Sequence, residues 1–149
     1  TGGGVKQALG FVNAGLCFVL NGDTWVKLNY VHMQREHLKQ GARLSIAVRE
    51  VPDVSRFGAV EIESGRVIRF LEKGRAGTGF INAGVYLLST DVFADLMLPE
   101  AFSLERDFLV PNLATLAPLA FPVTGDFIDI GIPEDYQRAQ RELPGQICR

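Results

Sequence analysis

A chain of 149 residues, 47% hydrophobic and 21% charged, has the size and composition of one folded domain that buries roughly 68–70% of its unfolded surface, which excludes disordered and fibrous classes. Its net charge of −2 comes from 15 basic and 17 acidic residues interspersed along the sequence, so no basic face is expected to neutralise a nucleic acid polymer. Two distant cysteines, Cys17 and Cys148, fit a reducing cytoplasm better than a disulfide scaffold, no apolar run nears the roughly 18–20 residues of a membrane span, and Thr1-Gly2-Gly3-Gly4 does not resemble a signal peptide.

Cys17–Leu20 is a short apolar run ending in Asn21-Gly22-Asp23, the pattern of a buried strand entering a loop. Leu28, Val31 and Leu38 among polar neighbours predict a helix from Leu28 to Gln40 that Gly41 stops. Leu44–Val48 is the next strand, and strand, helix, strand in that order predicts an α/β domain with a mainly parallel sheet. Phe57–Glu63 and Arg66–Leu71 form an antiparallel hairpin about Ser64-Gly65. Phe80–Leu88 is a further strand, and Thr90 or Asp91 is predicted to cap a helix reaching Leu98 before Pro99. Ser103 is a second N-cap, with Glu105 in the first turn in a structural role. Strands at Leu119–Val123 and Phe127–Ile130 precede a last helix from Pro133 to about Leu143. Residues 1–149 form a single domain.

Several residues admit a chemical reading beside a structural one. Asp23 and Asp129 each follow a short strand, where two carboxylates can converge on a divalent cation at the carboxyl edge of a sheet. An isolated aspartate after a strand more often caps a turn. Glu72-Lys73 ends a hairpin strand, where the lysine can hold a phosphate as a point charge, or the pair is simply solvated. Asn82-Ala83-Gly84 breaks an apolar strand, either to meet a ligand or to form a bulge, and Gly58 poses the same choice. Gly2 and Gly3 can bring backbone N–H groups to a phosphate if Val5 begins a helix, yet four small residues at a terminus are more often mobile. His32 and His37 lack metal-pair spacing and are assigned to structure or surface. No nucleophile elbow is present.

In order along the chain, Thr1-Gly2-Gly3, Leu20-Asn21-Gly22-Asp23, Arg56-Phe57-Gly58-Ala59-Val60, Phe70-Leu71-Glu72-Lys73, Ile81-Asn82-Ala83-Gly84-Val85-Tyr86 and Asp129-Ile130-Gly131-Ile132-Pro133-Glu134-Asp135-Tyr136 resemble successive motifs of the sugar-1-phosphate nucleotidyltransferases. With Phe102-Ser103-Leu104-Glu105-Arg106-Asp107, the pattern is most similar to heptose-1-phosphate or mannose-1-phosphate guanylyltransferases. The resemblance implies a Rossmann-like mixed, mainly parallel sheet flanked by helices, whose N-terminal βαβ portion with its Gly-rich loop would lie upstream of Thr1. It implies that Asp23 and Asp129 bind magnesium, that Glu72 meets the phosphosugar and Lys73 its phosphate, that Gly58 and Asn82 line the sugar pocket, and that Gly2 and Gly3 approach the nucleotide. Asp23, Lys73 and Asp129 would then be the catalytic set. The partners implied are a nucleoside triphosphate and a sugar 1-phosphate, with a homo-oligomer covering an exposed sheet edge. Without the Gly-rich loop the expected alternative is a non-catalytic sugar-phosphate-binding or subunit-interaction module. A metal-dependent glycosyltransferase is disfavoured because Asp23 has no acidic residue two positions on. Ile132 stands where the family often has threonine, which removes an N-cap oxygen.

Overall fold

A computed structural model describes residues 1–74 and 76–144; Cys148 lies outside the described residues. The chain folds as a helix, α1 (Gly2–Leu9), then β1 (Leu16–Leu20), β2 (Thr24–Val26), α2 (Tyr30–Lys39), β3 (Leu44–Val51), β4 (Val60–Glu63), β5 (Arg66–Phe70) and β6 (Gly79–Ser89). A π-helical segment, Leu104–Leu109, runs directly into α3 (Val110–Leu116), followed by β7 (Leu119–Val123), β8 (Phe127–Asp129) and α4 (Pro133–Glu142). Among the described residues no helix is long and apolar enough to cross a membrane.

Six strands form one sheet in the order β1-β6-β3-β7-β5-β4, while β2 and β8 make a separate two-stranded ladder. The predicted mainly parallel sheet is corrected by this topology. β3 with β7 is the one parallel pairing among the described residues; β6 runs antiparallel to β1, to β3 and, at one position, to β4. β1 and β3 do point the same way across α2, as the strand–helix–strand pattern implies, but β6 inserts between them. That insertion depends on a contact distant in sequence, which local periodicity does not encode.

One sheet face buries Ile46, Val48, Tyr86 and Ala120 against Leu9, Phe108 and Leu113 from the α1 and α3 side. The other buries Ala47, Ala83, Val85 and Leu87 against Met33 of α2. The helix α2 begins two residues later than predicted because Asn29, not an earlier residue, caps it: its side chain accepts from His32 N at 2.9 Å. Leu28 just outside packs into the same cluster as Met33, as in a hydrophobic staple. Gly41 does end the helix, with Gly41 N bonding Leu38 O at 3.1 Å and Ala42 N bonding His37 O at 3.0 Å in a Schellman arrangement.

The helix predicted up to Leu98 is absent; residues 90–95 form turns. Thr90 spends its hydroxyl on Ala14 O at 3.0 Å instead of capping, and the backbone makes only spaced three-residue bonds, such as Ala94 N to Asp91 O and Leu96 N to Phe93 O. Burial of Val92 and Phe93 holds the segment in these turns ahead of Pro99. The opening glycines are helical from Gly2 onward, three residues before Val5.

Candidate functional site

The Asn21-Gly22-Asp23 loop leaves β1 and crosses the neighbouring strand at Gly84. Asn21 N donates to Gly84 O at 2.8 Å, and a Cβ on Gly84, whose φ is +73°, would lie 2.9 Å from the Asn21 amide nitrogen. Gly84 therefore serves the protein's own loop. β6 carries extra residues here, since Ile46 pairs with Tyr86 but Val48 pairs with Asn82, and Asn82 Oδ1 bridges the bulge by accepting from Gly84 N at 3.0 Å.

Past the loop, the chain enters β2, where Thr24 lies opposite Asp129 and Asp23 O accepts from Ile130 N at 2.9 Å. The two sequence-predicted aspartates thus occupy adjoining ends of one antiparallel ladder, although 106 positions (129 − 23) separate them. Directly opposed residues share a face. Thr24 Oγ1 donates to Asp23 Oδ1 at 3.3 Å. Asp129 Oδ1 is held by Gly131 N at 2.8 Å. Arg49 braces the preceding turn, donating to Gly125 O at 2.7 Å and Val123 O at 3.3 Å. Among the described residues no three His, Cys, Asp or Glu side chains cluster as metal ligands. Aspartates at neighbouring strand ends offer the oxygen ligands that a hard divalent ion such as magnesium takes.

A cavity of about 600 Å3 brings Gly58, Glu72, Lys73 and Asn82 together, with Phe57 and Phe70 as apolar wall. Gly58 has φ +82°, and a Cβ there would sit 2.7 Å from Leu71 O, so the β3–β4 loop and the Glu72-Lys73 strand end press together only because this residue is glycine. Glu72 and Lys73 are exposed, and among the described residues Lys73 makes no ion pair.

Ser103, Glu105 and Arg106 also line this cavity, and sequence reading missed the last two because it gave Glu105 only a helix-end role. The π-helical segment carries Glu105 and Arg106 at the cavity rim, where both stay exposed. Pro111 has no N–H and its ring would strike the carbonyl four residues back, so a wider turn absorbs the misfit, and Asn112 Nδ2 donates to Phe108 O at 2.7 Å. Arg106 Nε donates to Asp107 Oδ1 at 2.8 Å, and hydrogen bonds from Arg106, then from Ser103 N, hold the Asp107 carboxyl at about 2. Its charge is largely answered locally, which leaves Lys73 as the cation available to a ligand.

Asn82 Nδ2 donates to Tyr86 Oη at 2.6 Å and to Glu105 Oε1 at 3.3 Å. Burial pushes the Tyr86 phenol up to about 12, with Glu105 adding to the rise. This network divides the cavity from a second one of about 830 Å3, lined by Asn21, Asp23, Tyr86 and the α1 residues Gly4 and Val5, with Ser103 and Glu105 common to both. Gly2 is packed beneath Phe102 and donates its N–H to Phe102 O at 2.9 Å. Gly3 faces Glu100 and lines an open cleft of about 1220 Å3 with Lys6 and Arg106.

A mixed six-stranded sheet with helices packed on both faces defines an α/β domain. The chain belongs to the nucleotidyl transferase family, whose profile matches residues 1–145. It is 37% identical over 143 residues to D-glycero-alpha-D-manno-heptose 1-phosphate guanylyltransferase of Aneurinibacillus thermoaerophilus, covering 96% of this chain and 62% of that protein. The protein of the same name from Campylobacter jejuni is 39% identical, with 91% of this chain and 59% of that protein covered. The crystal structure of HddC from Yersinia pseudotuberculosis complexed with GMP-PN superimposes with a TM-score of 0.85 at 41% identity, over 96% of this chain and 62% of that one. The chain therefore spans about three fifths of the length of the curated relatives it matches.

Proposed function

We propose that the chain forms the phosphosugar and metal side of a guanylyltransferase site that joins GTP to D-glycero-α-D-manno-heptose 1-phosphate or mannose 1-phosphate. The observation that carries this reading is the convergence of Gly58, Glu72, Lys73 and Asn82 on one cavity. An oxygen of the sugar phosphate attacks the α-phosphorus of the triphosphate; the new P–O bond forms as the bond to the bridging oxygen breaks, and pyrophosphate leaves with both electrons of that bond. Asp23 and Asp129 would hold magnesium, which would supply neutralisation of the charge gathering on the transferring phosphate. Lys73 holds the sugar phosphate as a point charge, while Glu72 and Glu105 accept from sugar hydroxyls. A hydroxyl entering the cavity would displace the 3.3 Å contact between Asn82 and Glu105, which is the longer of the two bonds Asn82 Nδ2 donates. Gly2 is committed to packing beneath Phe102, so of the two glycines Gly3, which lines the open cleft, is the one left to approach the nucleotide. Positioning and electrostatics supply the rate, with no covalent intermediate on the protein. This chemistry and the sparse thiols suit a cytoplasmic setting.

The test mixes the chain with Mg2+, GTP and each sugar 1-phosphate, following pyrophosphate release and calorimetric binding. Lys73→Ala should raise the sugar-phosphate Kd about tenfold or more, equivalent to losing one charge-assisted contact of about 1.5–3 kcal/mol. Asp23→Asn or Asp129→Asn should remove the Mg2+ dependence. Binding indifferent to Lys73 overturns the reading.

A second reading, a sugar-phosphate-binding module that works only with another segment or chain, is favoured by the open edge of β1, which among the described strands pairs with β6 alone. Binding without turnover selects it. Turnover by the chain alone removes it.

A further inference from the structure

The loop between β3 and β4 supplies Phe57 and Gly58 to the 600 Å3 cavity. Its backbone bonds are made within the loop and to Leu71 and the segment beyond it: Phe57 N and Gly58 N both donate to Val54 O at 3.0 Å, Leu71 N to Ala59 O at 2.7 Å, Val54 N to Gly77 O at 3.0 Å, and Gly74 N to Ser55 O at 2.8 Å. None of these reaches β8 or α4. Side chains make that connection. Arg56 Nη2 donates to Asp135 Oδ2 at 2.8 Å, and its guanidinium carbon lies 5.1 Å from the centre of the Phe57 ring. Phe57 meets Phe127 of β8 edge-on, with ring centres 5.9 Å apart at 73°.

Most ion pairs at a surface contribute little, because both ends are mobile and hydrated. This one has a fixed end. Asp135 is only 8% exposed, sits in the first turn of α4 and is also bound by Arg138 at 3.1 Å. Arg56 thus has a stationary anchor six positions beyond Asp129 and a second contact on an aromatic wall of the cavity. Arg56 itself does not line the cavity, so any effect it has on a ligand passes through Phe57.

We propose that Arg56, anchored on Asp135, is a positioning residue that sets the Phe57–Gly58 wall of the phosphosugar cavity against the strand end carrying Asp129. The proposal rests on the reading that this cavity takes a sugar phosphate and that Asp129 serves a cation. Two half-sites carried by separate elements must be held in register for in-line transfer, and no backbone bond of the loop does so.

The experiment measures three quantities in the wild-type chain, Arg56→Ala, Arg56→Lys, Asp135→Asn and the Ala/Asn double variant: calorimetric affinity for α-D-mannose 1-phosphate with Mg2+ present, affinity for Mn2+ alone by water-proton relaxation, and amide hydrogen exchange. Arg56→Ala is expected to raise the sugar-phosphate Kd about tenfold, less than the about hundredfold cost of a 1 Å misplacement at a reacting centre, with Mn2+ affinity held within about twofold. Arg56→Lys should recover most of the loss, since one nitrogen makes the 2.8 Å contact. Asp135→Asn should match Arg56→Ala, and the double variant should be no worse than either, as for residues acting as one unit. A lowered melting temperature with unchanged sugar-phosphate affinity overturns the proposal, as does failure of the lysine to rescue. Should Arg56→Ala not fold, Arg56→Lys and Asp135→Asn carry the same comparison. If the wild type binds neither probe, the function reading fails, and exchange then decides the clamp: faster exchange at Val54, Phe57 and Gly58 in the variants supports it, and unchanged exchange overturns it.

Discussion

Gly58 shows how one residue serves packing and site together. Its φ of +82° and the Leu71 carbonyl 2.7 Å from a would-be Cβ forbid a side chain, so Gly58→Ala should cost at least about 1–2 kcal/mol in chemical denaturation and weaken sugar-phosphate binding as the cavity wall shifts. A fully stable variant would show that the loop has slack. His37 carries a different prediction. It is 1% exposed, its Nδ1 lies 2.7 Å from Ser45 Oγ, and its Nε2 has no partner among the described residues. Burial lowers its pKa from the ordinary 6.5. The unfolded chain therefore takes up a proton that the folded chain resists, and stability present above pH 6.5 is lost as the pH falls below it, by at most about 1.4 kcal/mol per unit. Urea midpoints between pH 7.5 and 5 in wild type and His37→Gln read this slope; equal slopes would remove His37 as its source.

At the scale of elements, the π-helical segment is what sets Glu105 and Arg106 on the cavity wall. Phe108 at its centre is fully buried and meets Phe93 at 4.6 Å between ring centres. Phe108→Ala should destabilise the chain by about 3–5 kcal/mol in denaturant titration, and a loss under about 1 kcal/mol would mean the segment is pinned elsewhere. The hairpin about Ser64-Gly65 was legible because two residues with positive φ suit that turn, and the structure has both, at +49° and +75°. Glu105 was not legible as a cavity residue. A carboxylate in a first helical turn has a sufficient local explanation in the helix dipole, and only the wide turn before Pro111 aims it at Asn82. Ile132 makes no side-chain cap bond at the start of α4, as its apolar side chain predicts, and Glu134 and Asp135 in the first turn complement the helix end in its stead.

Across the whole molecule, the exposed side of β1 is the feature with the largest consequence. Its second edge is unpaired among the described strands, and Leu20 at its end is 51% exposed. Such an edge recruits other strands. The chain should self-associate with rising concentration in sedimentation, and Leu20→Lys should shift it toward monomer; a concentration-independent monomer in the wild type would contradict this. The two sheet faces are covered by different helices, so the association predicted here concerns the edge and not a bare face.

The ordered motifs and most strand and helix runs were readable along the chain, because turn chemistry, caps and apolar periodicity act over a few neighbouring positions; β2 and the π-helical segment were not. Asp23 and Asp129 were individually visible as strand-end carboxylates. Their adjacency along the backbone, the insertion of β6 between β1 and β3, the turns that replaced a helix after Thr90 and the place of Glu105 on the cavity wall were decided by tertiary packing. Each depends on which distant strand or carbonyl a segment meets, and that partner is chosen by the burial of the whole core, not by the residues at either end of the contact.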